Sequence, residues 1–180
     1  YFSSIGLGFM FLEIAIIHKF ILYLDHPIYA VTVVIATILL SSGIGSLISQ
    51  RFSVEGNWKS SAVLLVAVFS IIYSISLKHI ISTTLGWEFS QRLMLSIALL
   101  TPVGFFMGMP FPMGIRYLEA TKGSKFIPWA WGVNGAFSVV GSILAALLAL
   151  GAGFSGVIFA AAVLYASAFS SIYFSAHRQP

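Results

Sequence analysis

The chain has 180 residues, of which 59% are apolar and only 8% charged, with a mean hydropathy of +1.00 and no cysteine. A soluble domain carries about 25% charged residues, so a soluble fold of this size is excluded and the surrounding solvent has to be lipid. The net charge of +4 is spread over short connections, which argues against nucleic-acid binding, and the lack of cysteine rules out disulfides, thiolate zinc sites and redox thiols.

A bilayer core about 30 Å thick needs about 20 apolar residues as helix, and six segments meet that length. The first covers residues 1–24 and stops at Asp25-His26-Pro27. It opens inside an apolar run, so the first helix is expected to begin upstream of Tyr1. The second covers 28–49, and a polar connection at 52–59 follows, with Glu55, Gly56 and Asn57. The third runs over 60–77 to Lys78-His79. Residues 80–91 are too polar to span and suit a loop or interfacial helix, with Trp87 at headgroup level. The fourth covers 92–109. The fifth starts at Pro128, a good first helical residue, and reaches 150. A tight Gly151-Ala152-Gly153 turn leads into the sixth, 154–175. The expected fold is all-α: a single polytopic transmembrane bundle of about six spans.

Loop charge orients it. Arg51, Lys59, Arg116, Lys122, Lys125 and Arg178 fall on one side, against Lys19, Lys78 and Arg92 on the other. The positive-inside rule puts the first side, and both chain ends, in the cytoplasm. The setting expected is a bacterial inner membrane.

Four side chains are candidates for binding a ligand or a proton. Glu13 lies about 18 Å along the first helix at 1.5 Å per residue, near mid-bilayer, where a carboxylate is expensive unless paired, neutral or wetted. It is either a functional group or a buried polar tie between helices. His18 is about 140° around the helix from Glu13, so the two form no dyad, and no facing histidine pair exists for haem. Arg116 and Asn134 complete the set.

Thr101–Arg116 is the least regular stretch, holding Pro102, Pro110, Pro112, Gly104, Gly108 and Gly114. Each proline removes an amide donor and clashes with the preceding turn. The stretch is expected to break the helix at Pro102, Gly108, Pro110, Pro112 and Gly114. Such breaks mark substrate sites in transporters, although a kinked helix end at the headgroups would carry the same residues. In the fifth span, Gly132, Gly135, Ser138, Gly141 and Ser142 give small-residue spacing for close helix packing. Gly151-Ala152-Gly153-Phe154-Ser155-Gly156 mimics a dinucleotide fingerprint, but neither a preceding strand nor a later acidic residue supports it. The sequence carries no catalytic constellation and calls for no cofactor or metal.

Taken in order, Gly6-Leu7-Gly8-Phe9-Met10-Phe11-Leu12-Glu13-Ile14-Ala15-Ile16-Ile17-His18-Lys19-Phe20, Leu24-Asp25-His26-Pro27, Ser42-Gly43-Ile44-Gly45-Ser46, Gly108-Met109-Pro110-Phe111-Pro112-Met113-Gly114 and Pro128-Trp129-Ala130-Trp131-Gly132-Val133-Asn134-Gly135 resemble the C-terminal membrane region of spermidine-synthase-like multi-pass proteins. The resemblance implies a cytoplasmic aminopropyltransferase-like domain upstream, holding the polyamine chemistry, and a membrane part that anchors it or supplies a lipophilic substrate. A small-molecule or cation transporter half and a non-catalytic subunit of a larger complex are the alternatives. The partners expected are the bilayer, other transmembrane helices or subunits, and that upstream domain.

Overall fold

The computed structural model describes residues 1–52 and 58–177, with side chains at 1–52 and 61–174. Glu55, Gly56 and Asn57 of the polar connection, the Lys59 side chain and Arg178 of the tail lie outside the described residues. Among those described there are only helices: α1 (Phe2–Leu24), α2 (Pro27–Ser49), α3 (Trp58–Thr84), α4 (Phe89–Met107), α5 (Pro110–Lys122), a 3-10 turn (Ser124–Phe126) and α6 (Ile127–His177).

Five helical stretches are long and apolar enough to cross a membrane, where the sequence predicts six. The difference lies at the Gly151-Ala152-Gly153 turn. Helical hydrogen bonding continues through it, and a single residue, Gly153, leaves helical geometry at φ 67°, a conformation open to glycine. That one residue still reverses the chain. Asn134 and Gly141, in the first limb (127–152), meet Phe2 and Leu7 of α1. In the second limb (154–177), Ser155 meets Lys19, Tyr165 meets Gly8 and Ser167 meets Ser4. Along α1 the contact numbers rise with the first limb and fall with the second, so the limbs are antiparallel.

α1 is the centre of the bundle and packs on α2, α4, α5 and α6. Leu12, Ala15, Ile16, Phe20 and Leu24 are fully enclosed, with Ile38 of α2, Leu100 of α4 and Ile158 of α6. Lipid tails are as apolar as these side chains, so close packing rather than hydrophobic transfer holds such helices together. The outer surface is built of exposed Ile28, Leu40, Leu47, Ile75, Met94 and Leu150.

Two expected boundaries move. α3 continues through Lys78-His79 to Thr84 instead of ending there. The hydroxyls of Ser82, Thr83 and Thr84 donate back to carbonyls of His79 and Ile80, and Tyr23 meets Thr84 at 2.8 Å, so the polar stretch satisfies itself as helix. The break expected over Thr101–Arg116 is also narrower. Pro102 sits inside α4, and only Gly108 and Met109 separate α4 from α5. Pro110 and Pro112 occupy the first turn of α5, where amides have no helical acceptor in any case.

An arginine closes a helix end on each face. Arg92 donates to the Tyr23 carbonyl (2.6 Å) and to the Asp25 carboxylate (2.7 Å) at the end of α1, where Asp25 takes the left-handed conformation. Arg116 donates to the carbonyls of Ser49, Gln50 and Phe52 at the end of α2. Cationic donors suit the negative end of a helix dipole.

Candidate membrane-embedded cavity

The α4–α5 junction forms the floor of a cavity of about 430 Å³ between α1, α2 and α6. Met107, Gly108, Pro110, Phe111 and Pro112 supply that floor. Ile5, Gly6, Phe9 and Met10 of α1 and Leu39, Ser42, Gly43 and Ser46 of α2 make two walls, and Asn134, Ser138 and Tyr165 of α6 complete the third. Nothing charged lines it.

Glycine allows the close approach of α1 to α6 and of the α4–α5 junction to α2. A Cβ on Gly108 would overlap the Ser42 backbone, and one on Gly6 would come 2.6 Å from the Asn134 carbonyl oxygen. The floor is fixed to α1 by Tyr1, whose hydroxyl donates to the Pro110 carbonyl at 2.6 Å and whose ring lies against Gly114. Phe111 packs edge-on against Phe2 and Trp131.

The junction also interrupts backbone pairing. Pro112 has no N–H to give the Gly108 carbonyl, and the Phe111 N–H has no backbone partner among the described residues. Asn134 spends its amide nitrogen on the Phe2 carbonyl at 3.1 Å, while its amide oxygen accepts nothing among the described residues. Ser138 donates to the Asn134 carbonyl (2.9 Å) and Ser42 to the Leu39 carbonyl (3.1 Å). The lining is therefore mostly apolar, with Ser42, Ser46, Asn134, Ser138 and Tyr165 as its polar side chains, the usual composition of a small-molecule pocket.

Of the four side chains singled out in the sequence, only Asn134 lines the cavity. Glu13 follows Gly6, Phe9 and Met10 on their helix face, one turn beyond the lining. It is partly buried and makes no hydrogen bond or ion pair among the described residues, so the interhelical tie is not seen. Arg116 is occupied at the end of α2. His18 sits near the far end of α1, where its Nδ1 bonds the Ile14 carbonyl at 2.9 Å and its ring stacks on Phe154. Gly108, Pro110 and Pro112 are in the lining, whereas Gly114 and Pro102 are not.

The packing set divides as well. Ser138 and Gly141 face α1. Gly132 and Gly135 are exposed and would meet nothing with a Cβ, and Ser142 bonds within its own helix, to Val139. Ser42, Ser46 and Tyr165 were not predicted as lining. The run of small residues from Ser41 to Ser46 was the available signal for the first two; Tyr165 stands in a featureless apolar helix and gave none.

The fold and this cavity together define an all-helical domain suited to a membrane, with an uncharged pocket between its helices that opens at the surface beside Leu39 and Gly43. Comparison with protein-family models, curated proteins and solved structures gives no match to this chain.

Proposed function

We propose that the chain is the membrane-embedded binding domain of a spermidine-synthase-like protein. In this reading it crosses the bilayer six times, with both ends on the cytoplasmic side, and its cavity holds a lipophilic substrate for a transferase-type domain on that side. The observation that carries the reading is the convergence of four unusual sequence segments (around Gly6, Ser42–Ser46, Gly108–Pro112 and Asn134) on one cavity. It supports a ligand with an apolar body and a neutral hydroxyl- or amide-type head. An ionised head would lose its hydration without gaining a counter-charge, at a cost of several kcal/mol.

Gly43 allows a clean test. It lines the cavity, and a Cβ there meets nothing within 4 Å. Gly43→Leu is expected to fill the space without disturbing helix contacts. In the full-length protein it should abolish co-purification of bound lipophile and cut transferase activity on lipophilic acceptors by tenfold or more, with thermal stability unchanged. Undiminished lipophile binding in this variant would remove the cavity from the account.

Glu13 favours a second reading, a transporter half, because an unpaired carboxyl lies one turn beyond the cavity on the same face of α1. Uptake by proteoliposomes that depends on a pH gradient and is lost in Glu13→Gln would establish it. Uptake insensitive to both would discard it.

A further inference from the structure

The cavity is closed on one side and open on another, and the two sides meet different solvents. At the end of the bundle where α1 begins and α2 ends, the α4–α5 junction touches all three walls. Gly108 lies against the Ser42 backbone of α2, and the Pro110 carbonyl accepts from the Tyr1 hydroxyl at the head of α1. Phe111 packs edge-on against Trp131 of α6. Between α2 and α6 the arrangement differs. α1 packs on each of them, yet they share no packed interface of their own among the described residues. Leu39 and Gly43 on the α2 rim are exposed, and Phe9 and Met10 of α1 are partly exposed in the same lining.

The depth of this opening decides what can reach it. Leu39 and Gly43 precede Ser49, the last residue of α2, by ten and six positions. At 1.5 Å per residue the mouth lies about 9–15 Å inside that end. Phe9 and Met10, counted from the start of α1 at Phe2, give about 10–12 Å. A hydrocarbon core about 30 Å thick therefore covers the mouth, and acyl chains rather than water stand before it. The volume sets a second limit. About 430 Å³ takes a drug-sized molecule, well short of a two-chain membrane lipid. Such a lipid would enter with its head and leave its tails outside. The lining offers that head no charge, but the Asn134 amide oxygen and the Ser46 hydroxyl are uncommitted among the described residues.

We propose that the cavity fills sideways from the bilayer, through the gap between α2 and α6, and that its occupant is a neutral hydroxyl-headed glycerolipid of the diacylglycerol type. The head lodges by Asn134 and Ser46, and the acyl tails remain among neighbouring lipids. The inference rests on the cavity reading and adds to it the route and the lipid class. Its failure is separable, because a water-filled mouth would remove the route and leave a binding cavity in place.

The chain has no cysteine, so single nitroxide labels can be placed in the purified full chain in dioleoyl phosphatidylcholine vesicles. Leu39→Cys marks the mouth, with Gly43→Cys as a second position should the first not fold. Leu40→Cys, on the exposed outer surface, is the lipid reference, and Ser124→Cys, in the 3-10 turn, is the water reference. The mouth label is expected to match Leu40→Cys: relaxed by oxygen, which dissolves in acyl chains, and shielded from nickel ethylenediaminediacetate, which does not. Exposure to the nickel chelate equal to that of Ser124→Cys overturns the sideways route. The lipid class is read with a photoreactive diacylglycerol in the same vesicles. A roughly tenfold excess of dioleoylglycerol should cut its attachment to the unaltered chain about tenfold, and Gly43→Leu should abolish it. Attachment no greater than that of a photoreactive phosphatidylcholine overturns the diacylglycerol assignment. Attachment undiminished in Gly43→Leu overturns the cavity reading and this inference with it.

Discussion

The α2–α4 seam and the first limb of α6 look alike in sequence, yet they use their small residues in opposite ways. In the seam, Gly45 lies under the Phe105 carbonyl, Gly104 under Ser41 and Gly108 under the Ser42 backbone, so each glycine is required by a neighbouring chain. In the first limb, Gly132 and Gly135 face open space, whereas Gly141 and Ser138 touch α1. Small-residue spacing therefore signals permission for close approach. Whether a partner makes use of it depends on which face the rest of the bundle covers.

Substitutions can sharpen this contrast. The largest effect is expected for Gly45→Ala, because the added methyl meets backbone rather than a movable side chain. Forcing α2 and α4 apart should cost about 3 kcal/mol, read as a lowered unfolding midpoint in detergent, and a neutral result would deny the seam its packing role. Next, Arg116→Ala strips three carbonyls at the end of α2 of a charged donor and should cost about 2 kcal/mol, without changing lipophile retention by the cavity. Gly141→Ala comes third. Its methyl would approach Leu7 and Met10 at 3.2 Å, so a shift of a few tenths of an ångström accommodates it, for less than about 1 kcal/mol. Gly135→Ala is expected to do nothing or to stabilise by a few tenths of a kcal/mol through helix propensity. A large loss there would reveal a partner that covers this face.

Much of the architecture follows from composition and length alone: a helical bundle and its first two spans; the prolines and glycines of Thr101–Arg116 add a break there, wider than the one found at Gly108 and Met109. Periodicity told less, because a helix facing lipid on one side and helices on the other is apolar all round. That is why the α2–α4 seam was invisible except as a run of serines and glycines. Polar residues at 80–91 suggest a loop or interfacial helix, and the structure divides them: 85–88 form a loop, whereas Ser82, Thr83 and Thr84 stay in α3 because their hydroxyls return to preceding carbonyls. Proline was over-weighted in the same way. Pro102 forfeits one helical hydrogen bond and α4 continues past it, whereas Pro110 and Pro112 sit where no bond was to be had. The cavity itself needs four segments from distant parts of the chain; Asn134 and the Gly108–Pro112 floor stand out as candidate site residues, whereas the Gly6 and Ser42–Ser46 segments stand out only through the family resemblance.

The closure of α6 on α1 bears on how the molecule is made. Ser4 meets Ser167 and Phe2 meets Asn134 at sequence separations of 163 and 132, and contacts so distant in sequence are slow to form. During synthesis α1 enters the bilayer long before the hairpin that will enclose it. Until that hairpin inserts, the flank around Gly6, Gly8 and Ser4 stands open to any neighbouring helix or quality-control protease. Lesions that delay the α6 hairpin should therefore show first as degradation of nascent protein, before any loss of function in the molecules that mature.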